Sequence, residues 1–327
     1  METSRRQFLI GSSVVAASAA LSLKPAIGAA DPQPAGLRLL SYVDREGATP
    51  RVAVLLPNQR LADVDVPSMA ALVAAGPSGL EAARRAAAGA GGPKVTDVHL
   101  LAPLAPARNV YAVGWNYLAH FEAGQAVRTD NKTATYPEHP VFFTKGTHTI
   151  NEPYGAIPFD PNVSTQIDWE GELAVIIGKR GRNIKEADAM DHVFGYSVIN
   201  DTTARDVQQK RHGGQWFKGK SLDGHGPMGP WIVTKDGLDY DNLHLQTRVN
   251  GQIMQDANTK QMYFKVPRII AELSLGLTLE AGDIIATGTP DGVGFTMKPP
   301  RFLKPGDVLE TEISGIGIIR NTIRAVA

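Results

Sequence analysis

Asp168-Trp169-Glu170-Gly171-Glu172 runs straight into Leu173-Ala174-Val175-Ile176-Ile177, and the rest of the chain is organised around this segment. Side chains of an extended strand alternate between its two faces, so Glu170 and Glu172 project to one side. The five apolar residues that follow have no polar break, the pattern of a strand buried on both faces. Two carboxylates at the mouth of such a strand repel each other unless positive charge sits between them. A hard divalent cation with oxygen ligands answers that need. A Glu-x-Glu pair beside a strand is, by itself, more often a solvated strand end, so a third acid has to be found. Asp201 is that acid. With Asn200 it lies at the end of a second apolar run, Val193-Phe194-Gly195-Tyr196-Ser197-Val198-Ile199, and opens Asp201-Thr202-Thr203-Ala204-Arg205-Asp206-Val207-Gln208.

Composition bounds what surrounds these segments. Lys plus Arg and Asp plus Glu number 33 each, so no bulk field favours nucleic acid or an anionic membrane. There is no cysteine, which leaves stability to the core. Ser4-Arg5-Arg6-Gln7-Phe8-Leu9-Ile10 is a twin-arginine pattern, followed by an Ala/Ser-rich apolar run and small residues at Gly28-Ala29-Ala30. The three parts in this order predict a signal peptide over residues 1–30, a transient encounter with the twin-arginine translocase, and a periplasmic protein. The apolar part is too short to span a bilayer, and no later stretch reaches the required length, so no membrane span is expected.

Beyond the leader, the apolar segments Leu37–Val43 and Arg51–Leu56 flank a turn at Gly47 and Pro50, a hairpin pattern. Helices are expected over Pro67–Ala75 and Pro77–Ala90, each opened by proline, and a strand over Val95–Leu101. Residues 31–105 carry no chemical constellation and read as a small N-terminal α+β subdomain suited to packing or dimer contact. Residues 106–327 are β-rich runs parted by Gly/Pro turns, with helical patterns mainly over Ile184–Phe194 and Pro267–Leu277. The expected class is a β-dominated α+β fold. Polar, weakly periodic residues from Ala123 to His139 fit either a mobile flap or a plain surface loop.

The order of six segments carries a resemblance. Tyr111-Ala112-Val113-Gly114-Trp115-Asn116-Tyr117, the Glu170/Glu172 strand and the Asn200–Asp206 turn come first. Lys218-Gly219-Lys220-Ser221, Gly282-Asp283-Ile284-Ile285-Ala286-Thr287-Gly288-Thr289-Pro290 and Lys304-Pro305-Gly306-Asp307-Val308 follow. From about Pro106 to the C-terminus the chain resembles the fumarylacetoacetate hydrolase superfamily, in its three-carboxylate branch, since the more N-terminal aspartate of the name-giving branch has no counterpart. The resemblance implies a mixed β-roll or sandwich, a homodimer, and one Mg²⁺ (or Mn²⁺ or Ca²⁺) held by Glu170, Glu172 and Asp201. It implies a small 2-oxo acid as substrate.

The same resemblance places His120, in the Asn116-Tyr117-x-x-His120 pattern, as a base that activates water; a neutral imidazole accepts a proton at ambient pH. The branch usually sets a glutamate three residues after this histidine, where this chain has Ala123. The nearest acid, Glu122, is two residues on, a spacing that does not face His120 on a helix. Either the segment is not helical and Glu122 completes a dyad, or Glu122 works alone, or His120 is oriented by another group. His148 and His212 also lie near matched segments. Lys220 is expected to stabilise negative charge, together with Arg205 and Gln208, and Thr289 to receive a carboxylate. These roles describe a hydrolase that cleaves the C–C bond of an acylpyruvate- or fumarylpyruvate-like 2,4-dioxo acid into two carboxylic acids. The alternative uses the same metal site as a decarboxylase or enol–keto isomerase of an oxo-dioic acid. A non-catalytic 2-oxo-acid binder is less favoured, because binding alone needs no base.

Overall fold

A computed structural model describes residues 36–127 and 135–326. The segment expected to be a twin-arginine leader, residues 1–30, lies outside the described residues, as does the centre of the Ala123–His139 segment.

The acidic strand, Gly171–Ile177, is buried at every position and lies inside an 11-stranded sheet. It is flanked antiparallel by Val193–Asn200 on one side and by Ile284–Ala286 on the other. The ladder pairs Glu172 with Ile199 and Gly171 with Asn200. Its continuation sets Asp201 across from Glu170, with the Asp201 N–H donating to the Glu170 carbonyl at 2.8 Å. Register alone thus delivers the third acid to the first two.

A five-stranded sheet packs beside the acidic end of this strand. Its strands run in the order Gln252–Asn258, His244–Val249, Val308–Ile313, Gly317–Ala325 and Ile157–Phe159. Gly171 is the point of closest approach: a Cβ there would lie 2.3 Å from Thr247 Oγ1 and 2.8 Å from Thr311 Cγ2. The face opposite the two glutamates is therefore filled by the second sheet, and only glycine fits between them. Apolar residues cover both faces of the large sheet, with Leu40, Val175, Tyr196 and Ile285 in one cluster and Leu39, Ala174, Ile176 and Ile232 in the other.

The β-dominated α+β class expected from sequence is the one observed. The hairpin Arg38–Val43/Arg51–Leu55 and the helices Met69–Ala74, Pro77–Ala87 and Val266–Ser274 form where predicted. Two local expectations differ. The Ile184–Phe194 segment forms a 3₁₀ helix, Glu186–His192, squeezed between a left-handed Asn183 and the strand that starts at Val193. Val95–Leu101 divides into a 3₁₀ turn, Val95–Asp97, and a two-residue strand. Residues 36–105 also extend the large sheet directly, because Arg38–Val43 pairs with Gly226–Thr234. Among the described residues, no helix is long and apolar enough to cross a membrane.

Candidate active site

The carboxylates of Glu170, Glu172 and Asp201 each offer an oxygen within 4.8 Å of the others, and all three residues are buried. Lys220 lies between two of them: its Nζ donates to Glu170 Oε2 and, at 2.6 Å, to Asp201 Oδ2. A second ammonium, fully buried Lys145 at the end of Val141–Lys145, sits 2.8 Å from Asp201 Oδ1 and also donates to the Lys220 carbonyl. Arg205 completes the cationic set. Its Nη2 donates to Glu170 Oε1 at 2.6 Å, its Nε to Asp168 Oδ2 at 2.8 Å and its Nη1 to Gln208 Oε1 at 3.2 Å.

Asp168 anchors that guanidinium. It also accepts from the N–H groups of Trp169, Gly294 and Phe295 at 2.9, 2.7 and 3.1 Å, which draws the Gly294–Thr296 turn onto the site. Phe295 is consequently packed with its ring 4.1 Å from the Arg205 guanidinium carbon and edge-on to His120.

Electrostatics divides the carboxylates. Burial works against ionisation of Glu170, yet Lys220 and Arg205 hold it below its ordinary range. Glu172 is pushed well up, first by burial and then by the charges of Asp201 and Glu170. It accepts from a neutral donor, the Gly288 N–H, at 2.7 Å. Burial pulls Lys145 down, against the attraction of Asp201, whereas Asp201 and Glu170 overcome burial at Lys220 and hold it up. The set of buried groups is thus Asp168, Glu170, Glu172 and Asp201 against Lys145, Arg205 and Lys220. Close hard oxygens with an excess of negative charge fit a divalent cation. Glu172, the carboxylate without a cationic neighbour in hydrogen-bonding contact, is where its charge is needed.

One pocket brings together His120, Glu170, Glu172, Arg205, Gln208, Lys220 and Thr289, with Val113, Gly114, Trp115, Phe143, Trp216 and Phe295 as its apolar walls. Of the expected site residues, Glu122 is the one placed elsewhere. The helix Leu118–Gln125 is formed, and residues two apart on a helix diverge by about 200°. His120 is buried toward the pocket, and Glu122 is exposed. The expected dyad is corrected accordingly: Glu122 is not beside the base. Arg205 spends three N–H groups on protein acceptors, which makes it a holder of Glu170 and Gln208 as well as a pocket wall. The Thr289 hydroxyl donates to the Gly171 carbonyl at 2.9 Å and accepts from Gln255 Nε2 at 2.7 Å, so it ties its loop to the acidic strand. His148 and His212 are exposed and outside the pocket.

Sequence reasoning passed over Lys145, Asp168 as an anchor, and Asn116. Asn116 is buried, donates to the carbonyls of Phe264 and Thr287, and accepts from the Phe264 N–H. It clamps the Thr287–Pro290 loop. The signal for Asp168 was present, since it belongs to the acidic stretch itself; a lone lysine at a strand end gives none.

Comparison with known proteins follows the same lines. Residues 109–324 match the family described as fumarylacetoacetate (FAA) hydrolase C-terminal. The chain is 46% identical over 231 residues to an oxaloacetate tautomerase of Bacillus subtilis, spanning 70% of this chain and 74% of that protein. It is 43% identical over 229 residues to a mitochondrial oxaloacetate tautomerase of Homo sapiens, spanning 70% of each. Among solved structures, a fumarylacetoacetate hydrolase from Exiguobacterium antarcticum aligns with TM-score 0.76 and 40% identity, over 89% of this chain and all (100%) of that one. A probable 2-hydroxyhepta-2,4-diene-1,7-dioate isomerase from Mycobacterium abscessus aligns with TM-score 0.75 and 31% identity, over 89% and 99%. The chain belongs to the fumarylacetoacetate hydrolase family.

Proposed function

We propose that the protein is a metal-dependent enol–keto tautomerase of a short 2-oxo diacid of the oxaloacetate type. The observation that carries this reading is a pocket lined by His120, Glu170, Glu172 and Lys220, with buried Asp201 clustered against the two glutamates. Identity of 43–46% to oxaloacetate tautomerases supports the same reading.

Tautomerisation moves one proton between C3 and the 2-oxo oxygen and breaks no C–C bond. Glu170, Glu172 and Asp201 would hold a divalent cation such as Mg²⁺, which when bound supplies Lewis acidity toward the 2-oxo and carboxylate oxygens. His120 would take the proton from C3 and deliver it to the 2-oxo oxygen, or carry it the opposite way. Lys220 keeps a permanent positive charge against the oxygen that becomes negative as that proton leaves. Arg205 and Asp168 orient Glu170, and the Trp115, Phe143, Trp216 and Phe295 walls exclude water, which strengthens each of these interactions.

Hydrolytic cleavage of an acylpyruvate is the second reading, supported by the same acids, by His120 and by 40% identity to a solved fumarylacetoacetate hydrolase. The displaced Glu122 weakens it, because water activation loses its expected dyad partner. The test is to add the purified protein with Mg²⁺ to freshly dissolved oxaloacetate enol and, separately, to acetylpyruvate. Accelerated decay of enol absorbance without pyruvate formation is expected. Acetylpyruvate cleavage with unaccelerated enol decay would make hydrolysis the activity, and pyruvate release from oxaloacetate would make it decarboxylation.

A further inference from the structure

We infer that Trp216 is the specificity-determining residue of this site, an aromatic stop that limits it to short 2-oxo acids; the inference rests on the tautomerase reading above.

The wall is built from the charged end outward. Lys220 Nζ, bound to Glu170 and Asp201, lies 5.0 Å from the centre of the Phe143 ring. Phe143 meets Trp216 edge-on at 5.3 Å, and Trp216 meets Trp115 edge-on at 5.1 Å. Beneath them Gly114 closes the strand Val110–Gly114, and a Cβ there would lie 2.4 Å from Trp216 Cζ3. The indole therefore rests directly on backbone. It can be that close only because residue 114 has no side chain.

Trp216 is also tied in place relative to the chemistry. Its carbonyl accepts from the Lys220 N–H at 3.0 Å across the short helix Phe217–Lys220. One backbone hydrogen bond thus ties the stop to the turn that carries the ammonium. Trp216 lines the same pocket as His120, Glu170, Glu172 and Lys220. An acid with a bulky group beyond C3 requires the indole itself to leave its seat on Gly114.

Removing or adding a methylene-sized space in an apolar pocket changes discrimination by about 10–200-fold. Trp216→Phe and Trp216→Ala form a graded series, and the phenylalanine variant preserves aromatic packing if the alanine variant is unstable. The measurement is the ratio of kcat/KM for phenylpyruvate enol to that for oxaloacetate enol, with Mg²⁺ present. The ratio should rise from wild type to Trp216→Phe and again to Trp216→Ala, by about tenfold or more overall. A parallel binding measurement needs no turnover: thermal-shift titration with oxalate and with phenylpyruvate should show relative affinity moving toward phenylpyruvate in the same order. If wild type fails to tautomerise oxaloacetate, the function proposed above falls, while the binding series still tests the wall. An unchanged phenylpyruvate preference in both folded variants, by turnover and by binding, overturns the inference.

Discussion

Glu170 is held by Lys220 and Arg205, and Asp201 by Lys145 and Lys220, whereas Glu172 accepts from the Gly288 N–H. Burial and two neighbouring acids push its carboxyl well up, so its charged form is the one disfavoured when no cation is bound. Glu172→Gln should accordingly fold with melting temperature equal to or above that of the metal-free wild type. It should lose the rise that Mg²⁺ gives the wild type, a stabilisation of about 2.7 kcal/mol at a hundred times Kd. Differential scanning calorimetry with EDTA and with Mg²⁺ reads both effects; an intact Mg²⁺-dependent rise in the variant would remove Glu172 from the ligand set. At this scale the acids were legible because a strand alternates faces and Asp201 ends the neighbouring apolar run. Lys145 was not, since a lysine closing Val-Phe-Phe-Thr-Lys reads as a solvated strand end. Its burial depends on the Thr202–Thr203 turn arriving from elsewhere in the chain. Glu122 was legible only as one of three alternatives, and the helical phase at 118–125 removes the one in which it pairs with His120.

The acidic strand works as an element because its two faces have different neighbours: pocket on the side of Glu170 and Glu172, the five-stranded sheet behind Gly171. A methyl group at position 171 would press on Thr247 and Thr311, which lie on paired strands of that sheet. Gly171→Ala should therefore cost about 1–3 kcal/mol, the usual penalty for overpacking a dense interior. A lowered urea midpoint at unchanged slope is the expected result, and a loss below about 0.5 kcal/mol would mean that the sheets part more readily than their packing implies. Strands and helices with a clear period or a proline start were readable from local sequence alone. Partnership was harder. Nothing in Arg38–Val43 announces that it pairs with Gly226–Thr234, nearly two hundred residues away.

For the whole molecule, the outer surface carries large exposed side chains that the core does not explain, among them Ile253, Tyr263, Leu118 and Phe217. Ile253 lies on Gln252–Asn258, the edge strand of the five-stranded sheet. Edge strands with apolar side chains invite a second copy. The balanced charge of 33 basic and 33 acidic residues sets little long-range repulsion against that contact. We therefore propose a homodimer that covers part of this surface. A stable assembly of this kind buries at least about 1,000 Å² in total, so the contact must extend beyond Ile253 alone. Light scattering on the purified protein should give roughly twice the chain mass of 35.0 kDa. Ile253→Lys places a charge on the edge and should shift the mass toward one chain, with tautomerase activity per chain as the check on folding. A single-chain mass for the wild type at micromolar concentration ends the proposal, and a dimer indifferent to Ile253→Lys moves the interface to another face.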